Sequence, residues 1–405
     1  MQTAVYTKAH SHKNADRDRG RESYFDFSLL FLVIALCAIG IIMVFSSSAY
    51  FVLSNKEDDP NFMIRKQGII VVIGIAVMII FSLIDYHLLR KRLFGGISIA
   101  GLLLLLATVL QFVATFFGHA ENGSSRWLKF GPASFQPSEF AKFAVIMYIS
   151  TRISYRPLGL KRFRSFLIES IYVVPIIGLI IIENLSSGII VALIYGTICF
   201  VNSPKILYFL FTALAAFGIM VIKLATGSDY RSNRVAIWRD VENHPMGQQI
   251  LQGLYAITSG GLFGTGLGQS AQKYGRVPEA YNDMIFTIIC EELGLVGGIA
   301  IIMLYLLLVQ RLAVVAANAS DVLGSMITVG VMSHIGYQVV LNILVVTNTI
   351  PSTGVSLPFI SYGGSSTVLL MAEVGVVLNI SKQIKYKIQS DNIKIYSNGT
   401  NKKKV

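Results

Sequence analysis

The stretch "RVPEAYNDMIFTIICEELG", residues 276–294, places four carboxylates in nineteen residues and runs straight into "LVGGIAIIMLYLLLV", residues 295–309. The second string is apolar enough to lie in a membrane, where a spanning helix needs about twenty mostly apolar residues. Charges at membrane depth are costly and are usually kept for a task. Glu279 and Asp283 stand at the entrance of this segment, and Glu291 and Glu292 lie about two helical turns further in.

Composition agrees with the membrane setting. The 405 residues are 54% hydrophobic and 14% charged, against about 25% charged in a soluble domain. The net charge of +12 does not point to nucleic acid, because the cations sit between apolar runs and at the two tails. Positive charge in those places is a topology signal first. The "NKKKV" end reads as a solvated tail touching anionic lipid. Cys37, Cys199 and Cys290 lie inside apolar runs and offer no disulfide or zinc spacing, and the six histidines are scattered.

Ten spans are expected, near 27–50, 67–87, 94–118, 137–154, 166–183, 185–203, 206–226, 283–310, 320–346 and 358–381. The fold class is therefore an all-α polytopic membrane protein of ten transmembrane helices, with one large extracytoplasmic loop at about 227–282. Residues 1–25 read as a disordered cytoplasmic tail, 26–382 as the membrane domain and 383–405 as a basic cytoplasmic tail. The first apolar run is too long for a cleaved signal and reads as a retained span. The fifth and sixth spans, joined by "IIIENLSSGII", meet at a tight turn or a broken helix. With the N-terminus inside, 22 of the 34 Lys/Arg fall on the inner side, 11 on the outer side, and Lys142 lies within a span. That asymmetry puts both termini in the cytoplasm. Within the outer loop, 248–258 has the amphipathic pattern of a helix lying in the interface. The glycines from Gly260 to Gly268 lack the strand–helix context of a dinucleotide loop.

Three polar constellations remain. On a helix starting at Asp283, residues Asp283, Thr287, Glu291 and Gly294 share a face, with Glu292 pointing elsewhere. Glu291 would lie about 12 Å deeper than Asp283 at 1.5 Å per residue, too far along the axis to flank one bond with it. An aspartate at the rim suits a general base, a metal ligand or simply a helix N-cap. The deeper glutamate suits a structural pair with a cation. In "GSSRWLKFGPASFQPSEFAKF", residues 123–143, Pro137 starts a helix on which Glu139 and Lys142 are three apart and can pair. In "IPSTGVSLPFISYGGSS", residues 350–366, two prolines and three glycines forbid a regular helix. Such backbone persists at membrane depth only when buried in protein or lining a wet cavity. Gln338 and Asn342 form a polar stripe upstream, and Glu373 in the last span needs a partner.

Together these residues closely resemble the SEDS family (shape, elongation, division, sporulation) of bacterial membrane proteins. The matching elements are "RW", then "FQPSEFAK", then "GLGQSAQKYGRVPEAYNDMIFTIICEELG", then "TGVSLPFISYGGSS", in family order across about residues 26–382. The resemblance implies a peptidoglycan glycosyltransferase that polymerises lipid II at the outer leaflet. It further implies work with a class B penicillin-binding protein that crosslinks the strands, and with other divisome proteins at the septum. It is closer to the division and sporulation members than to the elongation members. By position, Asp283 matches the family's essential aspartate and is the expected catalytic residue. The resemblance assigns substrate binding to Arg126, Gln136, Glu139, Lys142, Gln249, Lys273, Arg276, Glu279, Ser361, Tyr362, Gly363, Gly364 and Ser365. Glu291 and Glu373 are expected as structural buried charges. Two departures stand out: Glu183 and Asn184 replace a "PDLG"-like turn, and Asn282 stands where threonine is frequent.

On this reading Asp283 takes the proton of the acceptor sugar hydroxyl. Arg126, Lys142, Lys273 and Arg276 face the diphosphate leaving group, with a divalent cation (Mg2+ or Mn2+) held by Asp283 or Glu279. The rivals are a lipid-linked sugar transporter, an elongation-type polymerase and a non-enzymatic scaffold. A transporter needs a polar route from both sides, whereas these motifs cluster on the outer side.

Overall fold

A computed structural model of the chain describes residues 25–48, 61–93, 96–121, 124–130, 133–156, 163–202, 229–244, 247–274, 277 and 280–384, with isolated positions between 207 and 218. Nine helices among them occupy nine of the ten expected spans. They are α1 (Phe27–Ser47), α2 (Phe62–Leu83), α3 (Ile99–Phe117), α4 (Pro137–Tyr155), α5 (Phe163–Glu183), α6 (Leu185–Asn202), α9 (Ile285–Asn318), α10 (Val322–Val346) and α11 (Gly364–Lys382). Two shorter helices, α7 (Asp229–Arg239) and α8 (Gln248–Ser259), lie in the long connection at 227–282. The expected span 206–226 lies largely outside the described residues.

Eight of the nine are long and apolar enough to cross a membrane. The exception is α4, which carries Glu139, Lys142 and Arg152 yet is buried along almost its whole length. A helix in the middle of the bundle meets protein on every side, so it need not be apolar all round. The flanking helices α1, α2 and α3 instead expose rows of Phe, Leu and Ile, as lipid-facing surfaces do.

Local chemistry sets the helix ends. Asp26 accepts from the Leu29 amide at 2.9 Å and so caps α1, while Arg311 of α9 pairs with it at 2.9 Å. Asp321 caps α10 through the Gly324 amide at 2.9 Å and also binds Arg90 at 2.9 Å. Between α5 and α6, Asn184 accepts from the amides of Ser186 and Ser187 at 3.1 and 3.3 Å. The residue that departs from the family turn is thus the N-cap of α6, and the expected break is a tight turn.

Three features differ from the sequence expectation. Residues 119–135 form a small antiparallel sheet, β1 (His119–Glu121), β2 (Ser124–Phe130) and β3 (Ala133–Phe135), paired in the order β1-β2-β3. It carries the chain from α3 into α4. The last span starts at Gly364, six residues later than 358, because 351–363 is irregular and packed into the bundle. Finally, α8 does not lie flat. Gly253 packs on Met284 and Thr287, and Gly260 on the carbonyl of Cys290, so α8 stands beside the start of α9 and runs the same way. Glycine and Ala256 on its buried face permit this close approach.

At the foot of α8 the glycine-rich loop enters a break in α9. Gly294 has φ +70, which interrupts the helix. The carbonyls of Glu291 and Glu292 accept instead from the amides of Thr265 and Gly266 at 2.9 and 3.0 Å. The amides of Leu295 and Val296 donate to Gly261 and Leu262 at 2.9 and 3.1 Å. Loop and helix satisfy each other's backbone, the condition for irregular chain at this depth.

Candidate functional site

The three motifs meet at one end of the bundle. From the first, the Gln136 amide, just ahead of α4, donates to Ser365 Oγ at 3.2 Å across 229 residues of sequence. From the third, Ser361 Oγ donates to the carbonyl of Asn282 at 2.7 Å and accepts from the Leu357 amide at 2.8 Å. The Tyr362 amide donates to the Tyr281 carbonyl at 3.0 Å, and the two rings meet edge-on at 5.9 Å. Asp283 lies at the centre of this junction, half-buried, in the turn before α9. The helix N-cap is Met284, with no side-chain capping bond. The carboxylate of Asp283 is therefore not used as a cap, and the stripe of residues on one helical face begins only after it.

Opposite Asp283 runs the irregular segment 351–363. Gly354 has φ +66, and a Cβ added there would lie 3.7 Å from Asp283 Oδ2. The segment is held from several sides. Tyr305 of α9 donates to the Pro358 carbonyl. Arg234 Nη1 and Trp238 Nε1 of α7 donate to the carbonyls of Ser352 and Asn348 at 2.9 and 3.0 Å. Phe359, fully buried, has φ +65, a conformation that surrounding packing must impose on a residue with a Cβ.

The other expected site residues fall into distinct groups. Glu139 and Lys142 pair at 2.7 Å, with the lysine side chain 1% exposed. Gln249 lies on the first turn of α8, half-exposed. Gly363 precedes α11, Gly364 starts it, and Ser365 receives the bond from Gln136. Arg126 is on β2, with its side chain outside the described residues, as are Arg276 and Glu279 altogether. Lys273 is not brought to Asp283. Its Nζ donates to Glu292 at 3.1 Å, to Ser46 Oγ at 3.2 Å and to the Gly268 carbonyl at 2.7 Å. The cation goes to Glu292 and not to Glu291, which is held by the Ser270 hydroxyl and by the amides of Ala271 and Gln272. This network locks the glycine-rich loop to α1 and α9. Glu373 finds His334, with Nδ1 2.9 Å from Oε2 and both side chains buried.

Sequence reasoning missed Lys66 and Arg234. Lys66 on α2 is exposed, with Nζ 5.7 Å from the Tyr362 ring centroid. It is brought there because α2 and α11 run parallel, with Gly74 against Met371 and the Ser82 carbonyl bound by Asn379. In the sequence, "RKQ" at the head of a span reads only as a topology mark. For a divalent cation, Asp283 offers one described carboxylate at the junction, and no group of three or more His, Cys, Asp or Glu converges among the described residues. An oxygen-seeking cation there would find only one protein carboxylate among the described residues.

Comparison with known proteins adds the following. The model of the FtsW/RodA/SpoVE family, described as "Cell cycle protein", matches residues 27–386. The chain is 37% identical over 365 residues to Stage V sporulation protein E of Bacillus subtilis (strain 168), covering 89% of this chain and 98% of that protein. It is 35% identical over 376 residues to the Probable peptidoglycan glycosyltransferase FtsW of the same organism, covering 89% and 92%. Among solved structures it superposes with TM-score 0.72 and 24% identity on a chain described under "Structural coordination of polymerization and crosslinking by a peptidoglycan synthase complex", covering 88% of this chain and 98% of that one. For the Rod shape determining protein RodA of Thermus thermophilus the TM-score is 0.65 at 24% identity, covering 90% and 98%. These structural likenesses show a shared fold.

Proposed function

The chain belongs to the FtsW/RodA/SpoVE family of cell cycle proteins, and on that premise we propose that it is a peptidoglycan glycosyltransferase polymerising lipid II at the outer face of the membrane. The observation that carries the reading is the meeting of three motifs, far apart in sequence, around Asp283. Asp283 is the general base. As the acceptor hydroxyl attacks the anomeric carbon of the donor, the carboxylate takes its proton, the new glycosidic bond forms and the bond to the diphosphate breaks.

The leaving diphosphate needs cations or donors in place beforehand. Lys142 and Lys273 are each tied to a buried carboxylate. The role falls first to Lys66, near Tyr362 and the start of α11, with Arg234, Arg126 and Arg276 as further candidates, and Ser365 and the α11 N-terminus supply donors. A Mg2+ or Mn2+ ion held by Asp283 would neutralise charge on the diphosphate oxygens. The partner is a class B penicillin-binding protein that crosslinks the strands, together with other divisome proteins. Both termini are cytoplasmic, the site faces outward, and the protein works at the septum.

The test is glycan synthesis from lipid II by the purified protein in detergent. Asp283→Asn is expected to fold and to lose polymerisation by about 10²- to 10⁴-fold. Near-normal product from that variant would remove Asp283 as the base. A transporter of lipid-linked sugar would draw on the buried polar residues Gln338, His334 and Glu373 deeper in the core. Product formed where there is no membrane to cross separates the two readings.

A further inference from the structure

Asn342 is fully buried on α10, one turn beyond Gln338. Its Nδ2 lies 2.7 Å from the carbonyl oxygen of Asp283 and 2.8 Å from that of Val355. Two carbonyls converging on one terminal atom can be satisfied only by an NH2 group, so the partners fix the amide's orientation. The other end of the side chain, Oδ1, is buried with no partner in the protein. Burying an unpaired carbonyl costs stability, and an apolar residue would avoid that cost. What asparagine supplies here is the pair of bonds to 283 and 355.

Those bonds join the two walls of the junction. One grips the backbone of Asp283 itself. The other grips Val355, next to Gly354, whose left-handed turn lets the chain pass close to the Asp283 carboxylate. We propose that Asn342 is a positioning residue for the reaction: its amide holds the Asp283 backbone against the 353–355 segment and so fixes where the Asp283 carboxylate points toward the acceptor hydroxyl. Asn342 touches no reacting atom and acts through Asp283. The proposal rests on Asp283 as the base.

The experiment uses the purified full-length protein with lipid II, comparing wild type, Asn342→Asp, Asn342→Ser and Asp283→Asn. Asn342→Asp keeps shape but replaces the two donors. It is expected to lower kcat per folded molecule by about 10- to 100-fold, the loss that a misplacement near 1 Å brings, with KM for lipid II within about threefold. Asn342→Ser, which keeps one donor, is expected to fall between this and wild type. It carries the test alone where the aspartate variant does not fold. A purely structural role would lower the folded yield and leave kcat per folded molecule unchanged. Wild-type kcat in either folded variant, or a loss confined to KM, overturns the proposal. Full activity in Asp283→Asn overturns the base assignment instead. An inactive Asp283→Asn beside fully active Asn342 variants sinks only the positioning role.

Discussion

Lys142 shows what a single buried charge costs and how it is tolerated. Its side chain is 1% exposed, and Glu139, three residues earlier on the same helix, is its partner at 2.7 Å. Removing one member of such a pair leaves the other charged and buried, at about 3–5 kcal/mol. Glu139→Ala is therefore expected to lower the thermal midpoint sharply in detergent. The double change Glu139→Leu with Lys142→Met is expected to regain most of that stability, since apolar replacement of a buried pair is often neutral, and to keep most glycan synthesis, because Lys142 is tied to Glu139. Loss of product in a folded double variant would return Lys142 to the diphosphate site. The spacing of these two residues made their pairing legible in the sequence. The Lys273–Glu292–Ser46 network was not, because its members are 19 and 227 residues apart and no local period links them. The same holds for His334 and Glu373, on two different helices 39 residues apart.

At the scale of elements, the apolar pattern located the helices but not where they fail. Residues 283–310 read as one continuous span, whereas α9 is broken at Gly294. The break depends on a loop 26 to 34 residues upstream whose glycines admit the close approach, and hydropathy does not record such contacts. The sheet at 119–135 was missed for a related reason. Its strands are three to seven residues long and are defined by pairing with one another. A Cβ on Gly294 would lie 2.3 Å from the Gly264 nitrogen, and one on Gly264 2.2 Å from the Glu292 carbonyl oxygen. Both residues also have positive φ. Gly294→Ala and Gly264→Ala are each expected to destabilise by about 1–3 kcal/mol or more, from strain and displaced backbone together. Gly68→Ala, inside α2 with open space around it, is expected to be neutral or to stabilise by up to about 1 kcal/mol. Thermal melts of the three variants check the contrast.

For the whole molecule, the expected sidedness comes from the charge bias between the two sides. The junction around Asp283 lies at one end of the helices, and Arg90, Asp321, Asp26 and Arg311 form ion pairs at the other. Glu242, exposed after α7, and Lys91, exposed before α3, mark the two sides. In intact cells a membrane-impermeant maleimide is expected to label Glu242→Cys and to spare Lys91→Cys until the membrane is opened. The native thiols Cys37, Cys199 and Cys290 are buried and give little background. Reversed labelling would invert the protein in its membrane and put Asp283 on the wrong side.

The grip on the 281–283 segment falls on peptide carbonyls at Tyr281, Asn282 and Asp283, with side chains of residue 281 and 282 left out of those bonds. Bonds to main-chain oxygens form whatever side chain the residue carries. The three that brace this segment would therefore survive an exchange of asparagine for threonine at 282.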